Sequence, residues 1–272
     1  KNMQLTINAR GKLLSLAQPI VMGVLNCTPD SFYAESRVQG EDAIARRARQ
    51  ILDEGGQIID VGGCSTRPGS QSCDETTEMQ RVRQALRIVR RVVPDAIVSV
   101  DTFRASVARM AIEEFDADII NDVSEGADTE MFSTVAALHR PYIYQSVQPT
   151  MEGIVKSMAD AVERLHDLGQ NDIILDPGFG FGKDVDQNYA VLNHLDRLQV
   201  FRLPLLIGVS RKRMIRQLLN ITTEESLNGT TVVNTLALVK GANILRVHDV
   251  RPAVEACRIY AKMNSATHTH KE

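Results

Sequence analysis

The chain lacks the features that would place it in a membrane or on a nucleic acid. None of its apolar runs approaches the ~20 residues that a membrane-spanning helix needs. Its 31 Lys and Arg residues are balanced by 34 Asp and Glu residues, so no basic field favours nucleic acid or an anionic lipid surface. No basic-then-apolar leader opens the sequence. These absences predict a soluble cytoplasmic protein with no nucleic-acid partner and no membrane partner.

Disulfide frameworks and zinc sites also find little support in the sequence. The cysteines are Cys27, Cys64, Cys73 and Cys257, with no CxxC pair and no zinc-type spacing. A chain of 272 residues can bury a substantial core without covalent staples. The sequence therefore predicts free thiols at all four positions.

Short apolar runs rich in Ile and Val alternate along the chain with stripes of helical period. Continuous apolar runs between polar or glycine-rich segments are typical of strands buried on both faces of a parallel sheet. Strands are predicted at 20–25, 58–61, 97–100, 119–120, 142–144, 173–175, 205–209 and 244–247. Helical stripes lie at 44–52, 79–93, 107–112, 131–138, 154–168, 189–198, 227–239 and 254–263.

Eight strands that alternate with eight helices predict an α/β fold, a single (β/α)8 TIM barrel over residues 1–272. A doubly wound open sheet is disfavoured because nothing marks a break in the winding. Residues 1–16 alternate around a turn at 8–11 and predict an N-terminal β-hairpin, a plausible lid over one end. We expect residues 264–272 to be a loose tail.

Polar residues follow almost every predicted strand, at the end where barrel enzymes place their active sites. A single one of them, such as Asp101, is more often a helix cap than a ligand-binding group. Seven strand ends that converge on one rim are harder to explain by capping. Asp101, Asn121, Asp176 and Lys212 offer hydrogen-bond donors and acceptors in alternation, which suits a flat, polar heterocycle read along its edge.

A second group of residues has the chemistry of an anion site. Arg67, Arg246 and His248 supply positive or donor groups, and Asn26 supplies a neutral oxygen. Magnesium prefers such hard oxygens and usually keeps phosphate oxygens among its ligands. Asn26 alone would not hold the metal, but Asn26 together with a diphosphate could. The glycine-rich stretch 178–182 has no P-loop ending, and its glycines are better explained by a close approach of backbone to a ligand.

Seven segments of the chain resemble, in order, the signatures of the dihydropteroate synthases. They are 22–32, 59–69, 99–102, 120–122, 175–183, 208–212 and 246–249, and together they span the whole predicted barrel. The resemblance implies that p-aminobenzoate displaces pyrophosphate from 6-hydroxymethyl-7,8-dihydropterin diphosphate in folate biosynthesis. It also implies Mg²⁺ as cofactor, a homodimer, and membership of a family that sulfonamides target, while the sensitivity of this chain stays open.

Residue roles follow from the same resemblance. Catalytic roles are expected for Asp101, Lys212 and Arg67, and a metal-binding role for Asn26. The pterin is expected on Asp101, Asn121, Asp176 and Lys212 with Arg246 stacked on it. The diphosphate is expected on Arg67, Arg246 and His248. The full substrate-binding set is Thr66, Arg67, Pro68, Asp101, Asn121, Asp176, Phe181, Gly208, Ser210, Lys212, Arg246 and His248.

The chain departs from the family pattern at several positions around the second substrate. Ala34 and Glu35 replace the usual first-loop residues, Cys64 stands where a Glu is usual, and Gln145-Ser146 replaces Met-His. Arg213 stands where a Ser is usual. These departures leave open a sulfonamide-tolerant variant, a slow enzyme or divergence to another acceptor. They also leave open a pterin-binding paralogue with little or no turnover. A methyltetrahydrofolate-dependent barrel is disfavoured, because methyl transfer has no diphosphate for Arg67 to hold.

Overall fold

The computed structural model describes residues 5–27, 37–64 and 73–266, and helices and strands alternate through these ranges. The strands are β1 (Thr6–Ala9), β2 (Lys12–Ser15), β3 (Ile20–Asn26), β4 (Ile58–Gly62), β5 (Ile97–Asp101), β6 (Ile119–Asp122), β7 (Tyr142–Gln145), β8 (Ile173–Asp176), β9 (Leu206–Ile207) and β10 (Ile244–Val247). The α-helices are α1 (Arg37–Asp53), α2 (Glu75–Val92), α3 (Ala105–Phe115), α4 (Met131–Ala137), α5 (Met151–Asp167), α6 (Val185–Asn193), α7 (Arg213–Leu219), α8 (Leu227–Val239) and α9 (Val250–Ala266).

Strands β3 to β10 form a parallel sheet that curls back on itself. Neighbouring strands follow the order β8-β7-β6-β5-β4-β3-β10-β9, and every pairing between them is parallel. A bridge between Leu175 in β8 and Leu205, just before β9, joins the two edges. Helices connect the successive parallel strands, as such a sheet requires. The predicted (β/α)8 TIM barrel is confirmed.

The N-terminal hairpin closes one end of the barrel, as its pattern predicted. β1 and β2 pair in antiparallel register around Arg10 and Gly11, both of which have positive φ. Ile7 and Leu16 are buried in an apolar cluster with the residues that begin the barrel strands, among them Ile58. The cluster fills the N-terminal end of the barrel, so a ligand has to enter from the opposite end.

A larger core lies between the outer face of the sheet and the helices. Alternate strand residues such as Ile59 and Val61 point outward into it, where they join Ile51 of α1 and Leu86 of α2. Burying side chains of this size stabilises the fold by about 1.5–3 kcal/mol each. Because both faces of every barrel strand are covered, these strands are apolar runs rather than alternating sequences.

The observed bounds of three elements differ from the predicted ones. The seventh barrel strand is only Leu206–Ile207, because Leu205 forms a single bridge to Leu175 and the chain turns after Ile207, where the Lys212 amide donates to the Val209 carbonyl oxygen. The stripe at 189–198 is divided between α6 and a 3₁₀ helix, Leu195–Phe201. Leu195 and Leu198 are both buried there, as the three-residue period of a 3₁₀ helix permits. Helix α9 extends to Ala266, so the predicted loose tail begins inside it, and 267–272 lie outside the described residues.

Within the described ranges, no helix combines the length and the apolar character that crossing a membrane would require.

Candidate active site

The rim at the C-terminal end of the barrel is built by the two-residue period of its strands. Ile58, Ile119 and Ile174 point inward at the closed end. Side chains two residues further along a strand point to the same face. On these strands they are Asp60, Asn121 and Asp176, and the same rule places Asp101 and Arg246 inside the barrel. Polar chemistry therefore lies directly above an apolar floor.

Arg246 is the centre of a hydrogen-bonded network inside the barrel. Its Nε donates to Asp60 Oδ2 at 2.7 Å, and its Nη2 donates to Asp101 Oδ2, also at 2.7 Å. Asn121 Nδ2 donates to the same Asp60 oxygen at 3.2 Å. One cation thus faces two carboxylates, and the three side chains orient one another before any ligand arrives.

The remaining oxygens of this network are acceptors without a donor. Asp60 Oδ1, Asp101 Oδ1 and Asn121 Oδ1 are all buried, and none has a hydrogen-bond partner among the described residues. An unpaired buried acceptor costs about 1–3 kcal/mol, so three in one cluster are an expensive feature unless a ligand supplies donors. The arrangement fits a planar molecule that carries several N–H groups along its edge.

Burial shifts the ionisation of the groups around this cluster. Desolvation raises the pKa of Asp101 to about 7, opposed by Arg246 and reinforced by Asp60. Desolvation also raises the pKa of Asp176, opposed mainly by the ammonium of Lys212. The pKa of Lys212 falls to about 8 for the same reason. Ionisable groups with shifted pKa values that meet in one cleft are typical of functional sites.

Lys212 forms one wall of the site. Its ammonium donates to the carbonyl oxygen of Phe179 and lies 5.0 Å from the ring centre of Phe181. Gly208 stands opposite, where an added Cβ would come within 3.8 Å of both Lys212 Nζ and Arg246 Cβ. A glycine here keeps the space between the two cations open, which would let a flat ring slide between them.

The remaining predicted residues within the described ranges lie at the mouth. Asn26 is exposed at the end of β3, and its Oδ1 would lie 3.5 Å from a Cβ added to Gly62. Ser210 is buried, and its Oγ accepts the backbone N–H of His248 at 3.2 Å. The structure therefore brings these residues to the same rim as the buried cluster. Thr66, Arg67 and Pro68 lie outside the described residues, as do Ala34 and Glu35.

Sequence reasoning gave no role to two residues that the structure places at this site. Asp60 lies two positions after the inward-pointing Ile58, a period that could have identified it. Lys183 is buried, and its ammonium donates to the carbonyl oxygens of Gly178 and Phe181. Its signal was weaker, since a lysine after a glycine-rich loop is usually exposed.

The expectation of four free thiols is wrong for Cys64 and Cys73. A disulfide links them, with 5.8 Å between their Cα atoms, and only Cys27 and Cys257 are free thiols in the described chain. Cys64 follows the end of β4 and Cys73 precedes the start of α2. The fold therefore brings together two residues that are nine positions apart. Sequence spacing could not reveal this, because the pairing depends on how the strand returns to its helix.

The structure also shows the surroundings of three other residues that depart from the family pattern. Gln145 is buried and donates to the carbonyl oxygen of Val123 at 3.0 Å, so its amide is held by the backbone beside Asp176. Ser146 Oγ contacts Glu125 Oε1 at 3.1 Å. Arg213 is exposed at the first position of α7. None of the three disturbs the network of Arg246.

Comparisons with known proteins identify the family of the chain. The model of the pterin binding enzyme family matches residues 22–248. Dihydropteroate synthase of Escherichia coli K12 is 35% identical over 277 residues, covering 95% of this chain and 96% of that protein. The Clostridium beijerinckii dihydropteroate synthase is 37% identical over 240 residues, covering 85% and 88%.

Solved structures give the same result. Dihydropteroate synthase of Xanthomonas albilineans with 4-aminobenzoic acid superposes with a TM-score of 0.89 at 30% identity, covering 97% of this chain and 99% of that one. The Yersinia pestis enzyme in a sulfonamide complex gives 0.86 at 35% identity, covering 96% and 100%. The chain therefore belongs to the pterin-binding enzyme family and, within it, to the dihydropteroate synthases, transferases of folate biosynthesis.

Proposed function

We propose that the buried cluster binds the pterin ring and that the rim above it binds the diphosphate and p-aminobenzoate. The observation that carries this proposal is the set of three unpaired acceptors on Asp60, Asp101 and Asn121. A pterin presents amino and ring N–H groups along one edge, so it would supply the donors that these oxygens lack. Asp176 adds a second carboxylate, and Lys212 adds a donor.

Arg246 serves both parts of the substrate in this proposal. Its guanidinium is fixed by Asp60 and Asp101, so its flat face is available to the ring, while its positive charge lies near the leaving group. Arg67 and His248 complete the diphosphate site at the rim. Cleavage of the bond from the pterin carbon to oxygen needs no protein nucleophile. It needs the leaving diphosphate to be clamped and the positive charge on the pterin to be offset by nearby carboxylates such as Asp101.

The residues present fit Mg²⁺ only together with the substrate. Asn26 offers one exposed neutral oxygen at the mouth, a hard donor of the kind that Mg²⁺ accepts, but one protein ligand does not make a site. Bound there with diphosphate oxygens, Mg²⁺ would neutralise charge on the leaving group. Asn26→Ala should therefore raise the Mg²⁺ concentration needed for half-maximal turnover, while the affinity for a pterin without phosphates stays the same.

The second substrate is proposed to lie against Phe181 and Ser210, and the family resemblance adds Thr66 and Pro68 to its contacts. The ring of Phe181 offers an apolar surface beside the ammonium of Lys212, which suits an aromatic carboxylate. Water must be kept out of this position, because it would compete with the amine for the pterin carbon.

Pyrophosphate release tests the proposed function. The assay contains pterin diphosphate and Mg²⁺, with and without p-aminobenzoate, and is repeated with sulfamethoxazole. Release that depends on p-aminobenzoate is expected, together with inhibition by the sulfonamide. Calorimetric binding of the pterin without any release would instead favour the paralogue with little turnover. Absence of both would exclude the pterin site itself.

A homodimer is the proposed assembly. Val232, Leu236 and Val239 are exposed along one face of α8, and Ile259 and Met263 are exposed on the adjacent α9. Their spacing of three and four residues places each set on one side of its helix. An apolar surface of this kind, remote from the barrel mouth, is suited to self-association.

A further inference from the structure

Lys183 is a buried cation that the proposed reaction leaves unused. Its side chain is only 4% exposed, although it follows a glycine-rich loop at the barrel mouth. The ammonium donates to the carbonyl oxygen of Gly178 at 3.0 Å and to that of Phe181 at 3.2 Å. These two carbonyls lie near opposite ends of the loop 178–182, so the Lys183 side chain braces the loop by linking its two ends.

The loop has little other freedom. Gly178 and Gly182 have positive φ, and a Cβ on them would lie 1.9 Å from the Ser146 carbonyl oxygen and 2.6 Å from that of Val147. The loop therefore lies flat on the chain that follows β7. The Phe181 amide donates to the Gly178 carbonyl oxygen at 3.1 Å, which gives that oxygen two donors.

The loop is also tied down at its centre. The Gly180 amide donates to Asn188 Oδ1 at 2.8 Å, which links the loop to α6. The Phe179 carbonyl oxygen accepts from Lys212, whose ammonium also faces the ring of Phe181. The position of that ring thus depends on the path of the loop that Lys183 braces.

Charges on three neighbouring elements surround the Lys183 ammonium. Asp176 at the end of β8 and Glu125 after β6 attract it, and Lys212 after β9 is the like charge nearby. Burial lowers the pKa of Lys183 to about 8, so most of the side chain is cationic at neutral pH. A neutral, apolar side chain of similar length would leave the Phe181 carbonyl oxygen without this donor and the Gly178 carbonyl oxygen with the Phe181 amide alone.

We propose that Lys183 is a positioning residue for the aromatic amine substrate, holding the loop so that Phe181 presents its ring beside Lys212. The proposal rests on the proposed function, because it assumes that p-aminobenzoate lies against Phe181. A general structural role would weaken the binding of both substrates, whereas the proposed role affects the binding of p-aminobenzoate and spares that of the pterin. The pterin contacts of Asp101 and Asn121 lie on other strands. Asp176 does interact with Lys183, but it keeps the charge of Lys212 beside it and the Gly178 amide at 2.7 Å, so loss of Lys183 should change the pterin site much less than the loop.

The test replaces Lys183 with Met, which keeps the length of the side chain and removes its donors. We expect the KM for p-aminobenzoate to rise at least tenfold, while kcat and the pterin Kd change less than threefold. The matched control is Gln170→Leu. Gln170 is buried at the opposite end of β8 and donates to the Arg140 carbonyl oxygen at 2.6 Å, so this variant loses a similar bond without reaching the mouth. Its KM should stay at the wild-type value.

Hydrogen exchange of the loop amides gives a second readout that needs no turnover. Exchange at Gly180 and Phe181 should become at least tenfold faster in Lys183→Met, and exchange in strand β5 should not change. If the Met variant does not fold, Lys183→Gln, which keeps one donor, should show intermediate KM and exchange values. An unchanged KM, or a pterin Kd that weakens as much as the KM, would overturn the proposal. If the wild-type protein is inactive but the loop amides exchange faster in Lys183→Met, the proposed function is refuted, whereas the role of Lys183 in holding the loop is supported.

Discussion

Arg246 and Asp101 form an ion pair across the mouth of the barrel, with 2.7 Å between Nη2 and Oδ2. The pair connects β10 to β5, which are separated in the sheet by β3 and β4. Because the same guanidinium also donates to Asp60, the cation is held from two sides. A site whose charged groups are fixed before binding loses less entropy when the substrate arrives.

Replacing Asp101 with Asn should weaken pterin binding at least tenfold, because the amide keeps the shape but loses the charge that holds Arg246. Removing one partner of a buried ion pair costs about 3–5 kcal/mol, so the free energy of unfolding should fall as well. Calorimetry with a pterin and urea unfolding would measure the two effects. Ser99→Ala is the control. Ser99 lies two residues earlier on the same strand, and its buried Oγ has no partner in the described chain, so its loss should change neither quantity appreciably. An Asn variant that binds pterin normally would contradict the assignment.

The pH dependence of kcat/KM for the pterin diphosphate should be bell-shaped with a maximum between pH 7 and 8. The productive form needs Asp101 ionised, which requires a pH above its raised pKa of about 7. It also needs Lys212 protonated, which requires a pH below its lowered pKa of about 8. Such profiles report the pKa values of the free enzyme. Lys212→Arg should move the basic limb upward by more than one pH unit. A basic limb that stays in place in Lys212→Arg but disappears in Lys183→Gln would assign it to Lys183.

The fold was largely predictable, because the strands are apolar runs that end in polar residues. The strand predicted at 58–61 is observed as Ile58–Gly62, and the one at 244–247 as Ile244–Val247. The cluster proposed to bind the pterin was predictable for the same reason, since Asp101 and Asp176 end their strands and Asn121 is the last residue but one of its strand. The disulfide was not identified, because it depends on a spatial relation. The strand period places Asp60 inside the barrel, but its partners Asn121 and Arg246 are 61 and 186 positions away in the sequence, so its part in the network was not predictable.

Gly178→Ala should destabilise the protein far more than Gly169→Ala, although both glycines have positive φ. At Gly169 an added Cβ meets nothing within 4 Å, so the cost is the left-handed strain of about 1 kcal/mol. At Gly178 the Cβ would meet the Ser146 backbone carbonyl at 1.9 Å, and displacing the loop should raise the total to about 3 kcal/mol. Chemical denaturation of both variants would measure the difference. Equal losses of unfolding free energy in the two variants would show that the loop shifts freely and is not fixed against the residues that follow β7.

Leu236→Glu should convert the proposed homodimer into a monomer. Leu236 is exposed at the centre of the α8 stripe, where a buried carboxylate would have no partner at the interface. Light scattering after size-exclusion chromatography would give the mass, with 30.1 kDa expected for the monomer. Val200→Glu is the control, because Val200 is also an exposed apolar residue but lies in the 3₁₀ helix after α6. A wild-type protein that already runs as a monomer would refute the proposed assembly.

The Cys64–Cys73 disulfide should stabilise the protein by roughly 2–3 kcal/mol, the value expected for a closed loop of about ten residues. Urea unfolding with and without a dithiol reductant should show this difference, and Cys64→Ser/Cys73→Ser should lose its response to the reductant. Thiol counting provides a direct check. Cys27 and Cys257 are buried, and burial raises the pKa of each thiol to about 12, so neither should react in the folded protein. After unfolding without reductant, two thiols should react, and after reduction all four. Four reactive thiols before reduction would show that the pair is not linked. The start of α2 would then be held at the mouth of the barrel by contacts such as that of Arg104, which donates to the Cys73 carbonyl oxygen at 2.9 Å.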